Sequence, residues 1–409
     1  MSAFDINIIK NPEIFQENRL MAHSDHVYYP SFAALKKDEN LYRYNLNGLW
    51  KFSYAKNMAS AIPGFEKEDY DCYSWDDIHV PAHIQMEGYD VPQYANTQYP
   101  WDGRAEIEPG EVPIEFNPTA SYVKYFDVPV GWENKPLYVS FQGVESAMAL
   151  WCNGKYVGYS EDSFTPSEFD LTPYIKEKGN KLAVQVYKWC AGSWCEDQDF
   201  YRFSGIYRDV YLYTKPSVHV EDIKVKTILT EEYKKGELAV DLKISGKGCV
   251  KAVLKELGTK AAMDVLKNDA DVSEEAVASI EVATGENIHF SLAVDMPKLW
   301  SSEVPYLYEL LLEVVDKNGE VTLEKIYTVT GYKIKVNGNE VHTIIVTGDC
   351  NGDGKSDIQD IFAINKHRLN NGKLTNEYLL AGDANRDGKT NVNDIFEINK
   401  YRLGIKEIL

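Results

Sequence analysis

The chain has 409 residues, 44% of them hydrophobic and 12% aromatic, and a formal net charge of −20. That length holds two to four domains with cores of their own. The surplus of carboxylates argues against a nucleic-acid partner, which needs basic patches, and favours cations. No apolar run reaches membrane-spanning length, and the start, Met1-Ser2-Ala3-Phe4-Asp5, lacks the basic and apolar stretches of a secretory signal. Six cysteines are scattered without a Cys-x-x-Cys spacing and read as mostly free and buried; spacing alone leaves a Cys190–Cys195 bridge open.

In chain order, the first clear pattern is β, from Leu137 to Thr214. Leu182, Val184 and Val186 alternate with Ala183, Gln185 and Tyr187, and Arg208 to Leu212 alternates again. The pair Asn153-Gly154 marks a hairpin turn. Short strands with repeated turn signals indicate a sandwich or jelly roll. Lys215-Pro216 reads as a boundary. Beyond it Val218, Val220, Ile223 and Val225, then Leu238, Val240, Leu242 and Ile244, open a second β region. That region closes with Tyr306 to Val315, the turn Asn318-Gly319, and Val321 to Val329, a span suited to one immunoglobulin-like sandwich. Residues 333–346 read as a short connection.

The last stretch is an internal repeat. Asp349-Cys350-Asn351-Gly352-Asp353-Gly354 returns as Asp383-Ala384-Asn385-Arg386-Asp387-Gly388, a period of 34 residues (383 − 349), and Ile361 to Lys366 returns as Ile395 to Lys400. Calcium takes six to eight oxygens, and a twelve-residue loop can supply them from alternating positions with Gly at the sixth. The first loop offers Asp349, Asn351, Asp353, the Lys355 carbonyl, Asp357 and Asp360. The second offers Asp383, Asn385, Asp387, the Lys389 carbonyl, Asn391 and Asp394. Both loops end in Asp rather than the Glu of an ordinary EF-hand. Each is followed by one helix, and no matching helix precedes the first. This pattern resembles a type I dockerin. The resemblance implies two calcium ions, and a cohesin partner chosen in part by Ile358 and Gln359 and by Val392 and Asn393.

A second set of strings covers residues 11 to about 332: Asn18-Arg19-Leu20, Leu46-Asn47-Gly48-Leu49-Trp50, Gln85 to Pro92, Asn96 with Tyr99-Pro100, and Asn117-Pro118-Thr119. Further along come Leu150 to Tyr159, Pro166 to Leu171, Glu196-Asp197-Gln198-Asp199, Ser204 to Val210, Pro297 to Ser301 and Pro305 to Tyr308. These strings resemble the first two domains of family 2 β-galactosidases. The resemblance implies a mainly β chain: a jelly-roll sugar-binding domain over 1–214, an immunoglobulin-like sandwich over 215–332, a linker over 333–346 and the small α-helical dockerin over 347–409. It also implies that Asn96 and Asp199 contact galactosyl hydroxyls, with a monovalent cation, usually sodium, near Asp199. In that family a (β/α)₈ barrel with two catalytic Glu comes next. Only 77 residues (409 − 332) follow Tyr332, against the roughly 200–250 of a barrel, so no catalytic residue is expected here.

The expected function is therefore a non-catalytic component of carbohydrate degradation, acting on a galactoside or plant glycan and held on a cohesin scaffold. The alternative is a β-galactosidase whose barrel is supplied in trans or lost by truncation. The dockerin places the chain outside the cell; the N-terminal sequence leaves the cytoplasm as the alternative.

Overall fold

In the computed structural model, residues 4–31, 40–196, 199–258, 276–283, 287–301, 306–316, 321–326, 333–336, 339–343 and 358–368 are described. Isolated residues at 34, 35, 285, 304, 384, 389–391, 393–395 and 398 are described as well. The chain divides into two compact units: Met1–Ala22 with Leu41–Lys215, and His23–Asn40 with Pro216–Leu409.

The first unit is an antiparallel sandwich. Its larger sheet has seven strands in the order Gln16–Glu17, Lys155–Ser160, Ala147–Cys152, Asn180–Tyr187, Thr119–Phe126, Gly48–Ala55 and Asp76–Val80. Four strands, Ser167–Asp170, Tyr138–Phe141, Val210–Tyr213 and Arg43–Asn45, form the smaller sheet. Leu150, Leu182, Val184, Val186, Trp50 and Phe52 from the first meet Val139, Phe141, Phe169, Val210 and Leu212 from the second in one core. The alternation in Asn180–Tyr187 reads as a strand with one wet face; in the fold both faces are covered. Ala183 and Tyr187 belong to a second core, where Ile8, Ile9, Phe65, Cys72 and Val112 lie over the outer side of the sheet.

Local signals explain the joints. Asn153 and Gly154 take φ of 50° and 75°, which a two-residue hairpin of this hand requires and which Asn and Gly adopt most readily. The Asn153 side chain is also buried. Its amide donates to the Tyr174 carbonyl (2.9 Å) and to Asn180 Oδ1 (2.9 Å), while its Oδ1 accepts from the Lys181 backbone (2.9 Å). Gly158 lies where a Cβ would come within 2.5 Å of the Glu17 carbonyl oxygen and 2.6 Å of the Phe169 ring.

The second unit is also a sandwich, with three strands (His219–Thr230, Lys235–Ser245, Asn287–Asp295) against five. The five are Val27–Tyr29, Val321–Ile326, Leu307–Asp316, Gly248–Gly258 and Ala278–Ala283. Val240, Leu242 and Ile244 point into its core with Val250, Leu254, Phe290, Leu312 and Val314, as their alternation predicts. Residues 23–40 differ from the 1–214 assignment. Val27–Tyr29 pairs antiparallel with Val321–Ile326, Val27 opposite Lys325 and Tyr29 opposite Leu323. An added strand covers a sheet edge that would otherwise present unpaired backbone groups. Ser24 and Tyr28 reinforce it: the Ser24 amide donates to Asp222 Oδ1 (2.8 Å) and the Tyr28 hydroxyl to the Val220 carbonyl (2.9 Å).

Residues 333–346, read from sequence as a plain connection, contain a two-stranded ladder of Lys333–Val336 and Asn339–Thr343. Beyond it Ile358–Arg368 is an α-helix. Ile361, Ile364, Ala384 and Ile398 form a small core there, joined by half-buried Ile395, so the equivalent positions 361/395 and 364/398 of the two repeats pack together. The turn at Asn318-Gly319 lies outside the described residues.

Among the described cysteines, Cys72, Cys152 and Cys190 are buried, Cys249 is half-buried and Cys195 is exposed; all are free, including Cys190 and Cys195.

Gly158→Ala should destabilise the first unit by about 1–3 kcal/mol, because the backbone oxygen of Glu17 cannot move aside as a flexible side chain would. Denaturant unfolding followed by tryptophan fluorescence measures this, and an unchanged midpoint would contradict the packing described.

Candidate functional site

Two long excursions leave the larger sheet of the first unit and meet each other. One joins Asp76–Val80 to Thr119–Phe126; the other follows Asn180–Tyr187. Three devices hold them together.

Asn117 and Trp189 exchange amide bonds: Asn117 Nδ2 donates to the Trp189 carbonyl (2.9 Å), and the Trp189 backbone donates to Asn117 Oδ1 (2.9 Å). Trp101 packs edge-on against Trp189 (5.8 Å between ring centres), lies parallel to Tyr99 (5.4 Å) and meets Trp194 (4.9 Å). Lys188 Nζ donates to Asp90 Oδ2 at 2.5 Å, with side chains only 1% and 8% exposed. The same oxygen accepts from Gln85 Nε2 (3.0 Å), which also donates to Ser204 Oγ (2.8 Å). Burial pulls the Lys188 ammonium below its usual range, and Asp90 opposes that shift. Burial and the Asp90 carboxylate together push the Tyr54 hydroxyl up to about 12.

The excursions converge on a two-stranded ribbon, Gln93–Ala95 against Phe200–Arg202, with Tyr94 opposite Tyr201. Asn96 and Asp199 sit at the same end of it. The Asp199 backbone amide donates to the Asn96 carbonyl (3.1 Å), and Asp199 takes a positive φ of 60°. Both side chains are exposed. Asp199 Oδ1 accepts the Tyr94 hydroxyl. That bond, more than burial, raises the pKa of Tyr94. The ribbon thus brings together the carboxylate and the carboxamide singled out in the sequence. It adds Tyr94, which the motif strings do not single out. A carboxylate accepting and an amide both donating and accepting, side by side at an open surface, suit neighbouring hydroxyls of a polyol. Residues 197 and 198 lie outside the described residues.

In the second C-terminal loop three of the expected ligands are described. Asp394 is 0% exposed and accepts the Asn391 backbone amide on Oδ2 (2.6 Å). Asn391 Nδ2 donates to the Lys389 carbonyl (3.3 Å), and its Oδ1 accepts the Asn393 amide (2.9 Å). A buried carboxylate beside a carbonyl and a carboxamide oxygen is the donor set a hard cation uses. Asn393, one of the expected cohesin contacts, is helical and exposed. The backbone of Ile358, Gln359 and Asp360 lies in the helix. Asp349, Asn351, Asp353, Lys355, Asp357, Asp383, Asn385, Asp387 and Val392 lie outside the described residues.

Comparison with known proteins agrees with this architecture. Residues 44–216 match the sugar binding domain of glycosyl hydrolases family 2, residues 218–333 a second glycosyl hydrolases family 2 domain, and residues 347–402 the dockerin type I domain. A β-galactosidase of Halalkalibacterium halodurans is 44% identical over 389 residues, which cover 90% of this chain and 37% of that protein. One from Clostridium acetobutylicum is 43% identical over 322 residues, 78% of this chain and 35% of that protein. The β-galactosidase large subunit of Leuconostoc lactis is 38% identical over 325 residues, 76% of this chain and 50% of that one. The chain thus spans about a third to a half of the length of these relatives. Among solved structures, a β-glucuronidase from Ruminococcus gnavus in complex with D-glucuronic acid shares the fold at a TM-score of 0.50 and 20% identity, covering 78% of this chain and 51% of that one. A family 2 member from Bacteroides cellulosilyticus does so at 0.50 and 22%, covering 72% and 37%. Residues 44–333 of the chain therefore belong to glycosyl hydrolase family 2, as its sugar-binding and immunoglobulin-like domains, and residues 347–402 are a type I dockerin.

Proposed function

We propose that this chain is the sugar-meeting, non-catalytic part of a family 2 β-galactosidase system, carried by its dockerin to a cohesin on an extracellular, cellulosome-like scaffold. The observation that carries the reading is the junction. The family 2 match ends at residue 333 and the dockerin match begins at 347, so 13 residues (347 − 333 − 1) stand between them. A barrel takes roughly 200–250 residues. The stretch in which the resemblance places the two catalytic Glu is thus filled by a short hairpin, while the ribbon bearing Asn96 and Asp199 is kept. On this reading Asn96 and Asp199 take galactosyl hydroxyls, and a monovalent cation accompanies Asp199. Type I dockerin domains bind calcium; here the two loops take one ion each. Ile358, Gln359, Val392 and Asn393 then face the cohesin. Among the described residues no helix is long and apolar enough to cross a membrane.

A second reading is that the barrel is supplied by another chain and the assembled pair is a β-galactosidase; division of the enzyme among chains is seen in the name of the Leuconostoc lactis relative, a large subunit.

Three outcomes are expected. The purified chain releases no chromophore from a chromogenic β-galactoside above a buffer blank. Turnover that survives repurification would overturn the non-catalytic reading, and turnover that appears only on adding a separately expressed family 2 barrel would establish the second. Galactose binds in the millimolar range or weaker, because half a pocket cannot bury a sugar, and Asp199→Ala abolishes the titration; micromolar affinity, or indifference to that substitution, would remove the site.

The third outcome concerns calcium. Clustered carboxylates repel by about 1 kcal/mol per pair at 4 Å even in water, and in a module this small ion binding is folding energy. Calcium should therefore raise the helical circular dichroism of the full chain, and Asp349→Ala with Asp383→Ala should cancel both that rise and cohesin capture. Equal helicity in EDTA and in millimolar calcium would sink the assignment of the loops.

A further inference from the structure

The two faces of the ribbon differ in what they expose. Side chains alternate along a strand, so Tyr94 shares a face with Asn96, and Tyr201 shares one with Phe203. On the opposite face Ala95 and Arg202 are buried, Gln93 is half-buried and Phe200 is 43% exposed. Tyr94 and Tyr201, directly opposite each other, remain 54% and 57% exposed. Their ring centres are 5.4 Å apart, and Tyr201 stacks on Phe203 at 5.9 Å. Behind Phe203 the row is backed by His83 (4.8 Å), which stacks in turn on Tyr207 (4.9 Å, planes within 9°). A line of rings therefore starts beside Asn96 and Asp199, crosses the ribbon from Tyr94 to Tyr201 and continues past its strands to Phe203.

We infer that this face is a track for an oligosaccharide: a galactose held at Asn96 and Asp199 continues as a β-linked chain whose next rings lie on Tyr94, Tyr201 and Phe203. The inference rests on the sugar reading of Asn96 and Asp199, but on different side chains. A pyranose has an apolar C–H face and a rim of hydroxyls. An aromatic ring with a polar tip answers both at once, which is why tyrosine is used where one side of a contact is apolar and the other wet. The rim of this track carries the Asn96 carboxamide, the Asp199 carboxylate and the Tyr201 hydroxyl. An apolar protein partner seated on the rings would have to desolvate those groups without bonding them, at a cost; sugar hydroxyls replace the lost water. The rings are tilted rather than coplanar, 53° between Tyr94 and Tyr201 and 21° between Tyr201 and Phe203, so successive sugars would meet ring faces at different angles.

The test uses the full chain and titrates galactose, then β-1,4-linked galacto-oligosaccharides of two, three and four units, by isothermal calorimetry or protein-observed NMR. The trisaccharide should bind about tenfold more tightly than galactose. Tyr201→Ala should cut that ratio to about twofold, while Tyr201→Phe, which keeps the ring, should retain most of it; circular dichroism of both variants checks that the sheets persist. Equal affinity for every length, with galactose binding intact, overturns the track and leaves the galactose site standing. A length gain that survives Tyr201→Ala also overturns it. Absence of binding at every length removes the track together with the sugar reading. Self-association of the chain that Tyr201→Ala abolishes, without any gain with length, makes this face a protein contact and overturns the proposal.

Discussion

A lysine and an aspartate buried against each other hold the candidate sugar site in place. Neither Asn96 nor Asp199 belongs to the two main sheets of its unit. Both sit on excursions that pair with each other in the ribbon and rest on what lies beneath them. The Lys188–Asp90 pair, with Gln85 and Ser204 bonded around it, ties the start of one excursion to the start of the other, and the Asn117–Trp189 amide exchange closes the same seam. Desolvating two charges is costly, and a hydrophobic pair of equal volume can be as stable. What the ionic pair contributes is position: it sets Asp90 beside Lys188 at the roots of the two excursions that carry the ribbon. The aromatic cluster of Tyr99, Trp101, Trp189 and Trp194 then fills the space beside it.

Much of this was open to a reader of the sequence, and the gaps have physical causes. Asn153-Gly154 declares its turn because few other pairs tolerate two positive φ angles in succession. Val240, Leu242 and Ile244 declare their strand because one face of it is wet. Asn180–Tyr187 misleads because its second cover comes from residues such as Ile9, Phe65 and Cys72, more than a hundred positions away. Val27–Tyr29 is too short to carry a period, and its partner lies near the far end of the second sandwich.

The site shows the same division. Asn96 and Asp199 stand out in the sequence only through resemblance, since a lone Asn and a lone Asp have no signature of their own. Tyr94 and Tyr201 carry no signal of their own in the sequence, because pairing across an excursion leaves no fixed spacing; the two-residue alternation linking Tyr94 to Asn96 is the available clue. In the C-terminal segment the period of 34 residues announced the duplication, and the meeting of Ile361 and Ile364 with Ile395 and Ile398 is its packing counterpart.

The strand at Val27–Tyr29 bears on how such a chain can be recombined. Because residues 23–40 leave the first unit, serve the second and return, the backbone passes between the two units three times, at 22/23, 40/41 and 215/216. A splice at 215 would strip the second sandwich of its edge strand and leave that strand hanging from the first. Neither half is a portable cassette. The piece that can be exchanged whole runs to the end of the second sandwich, and a foreign module joined after it, where this chain carries its hairpin and dockerin, leaves both sandwiches intact.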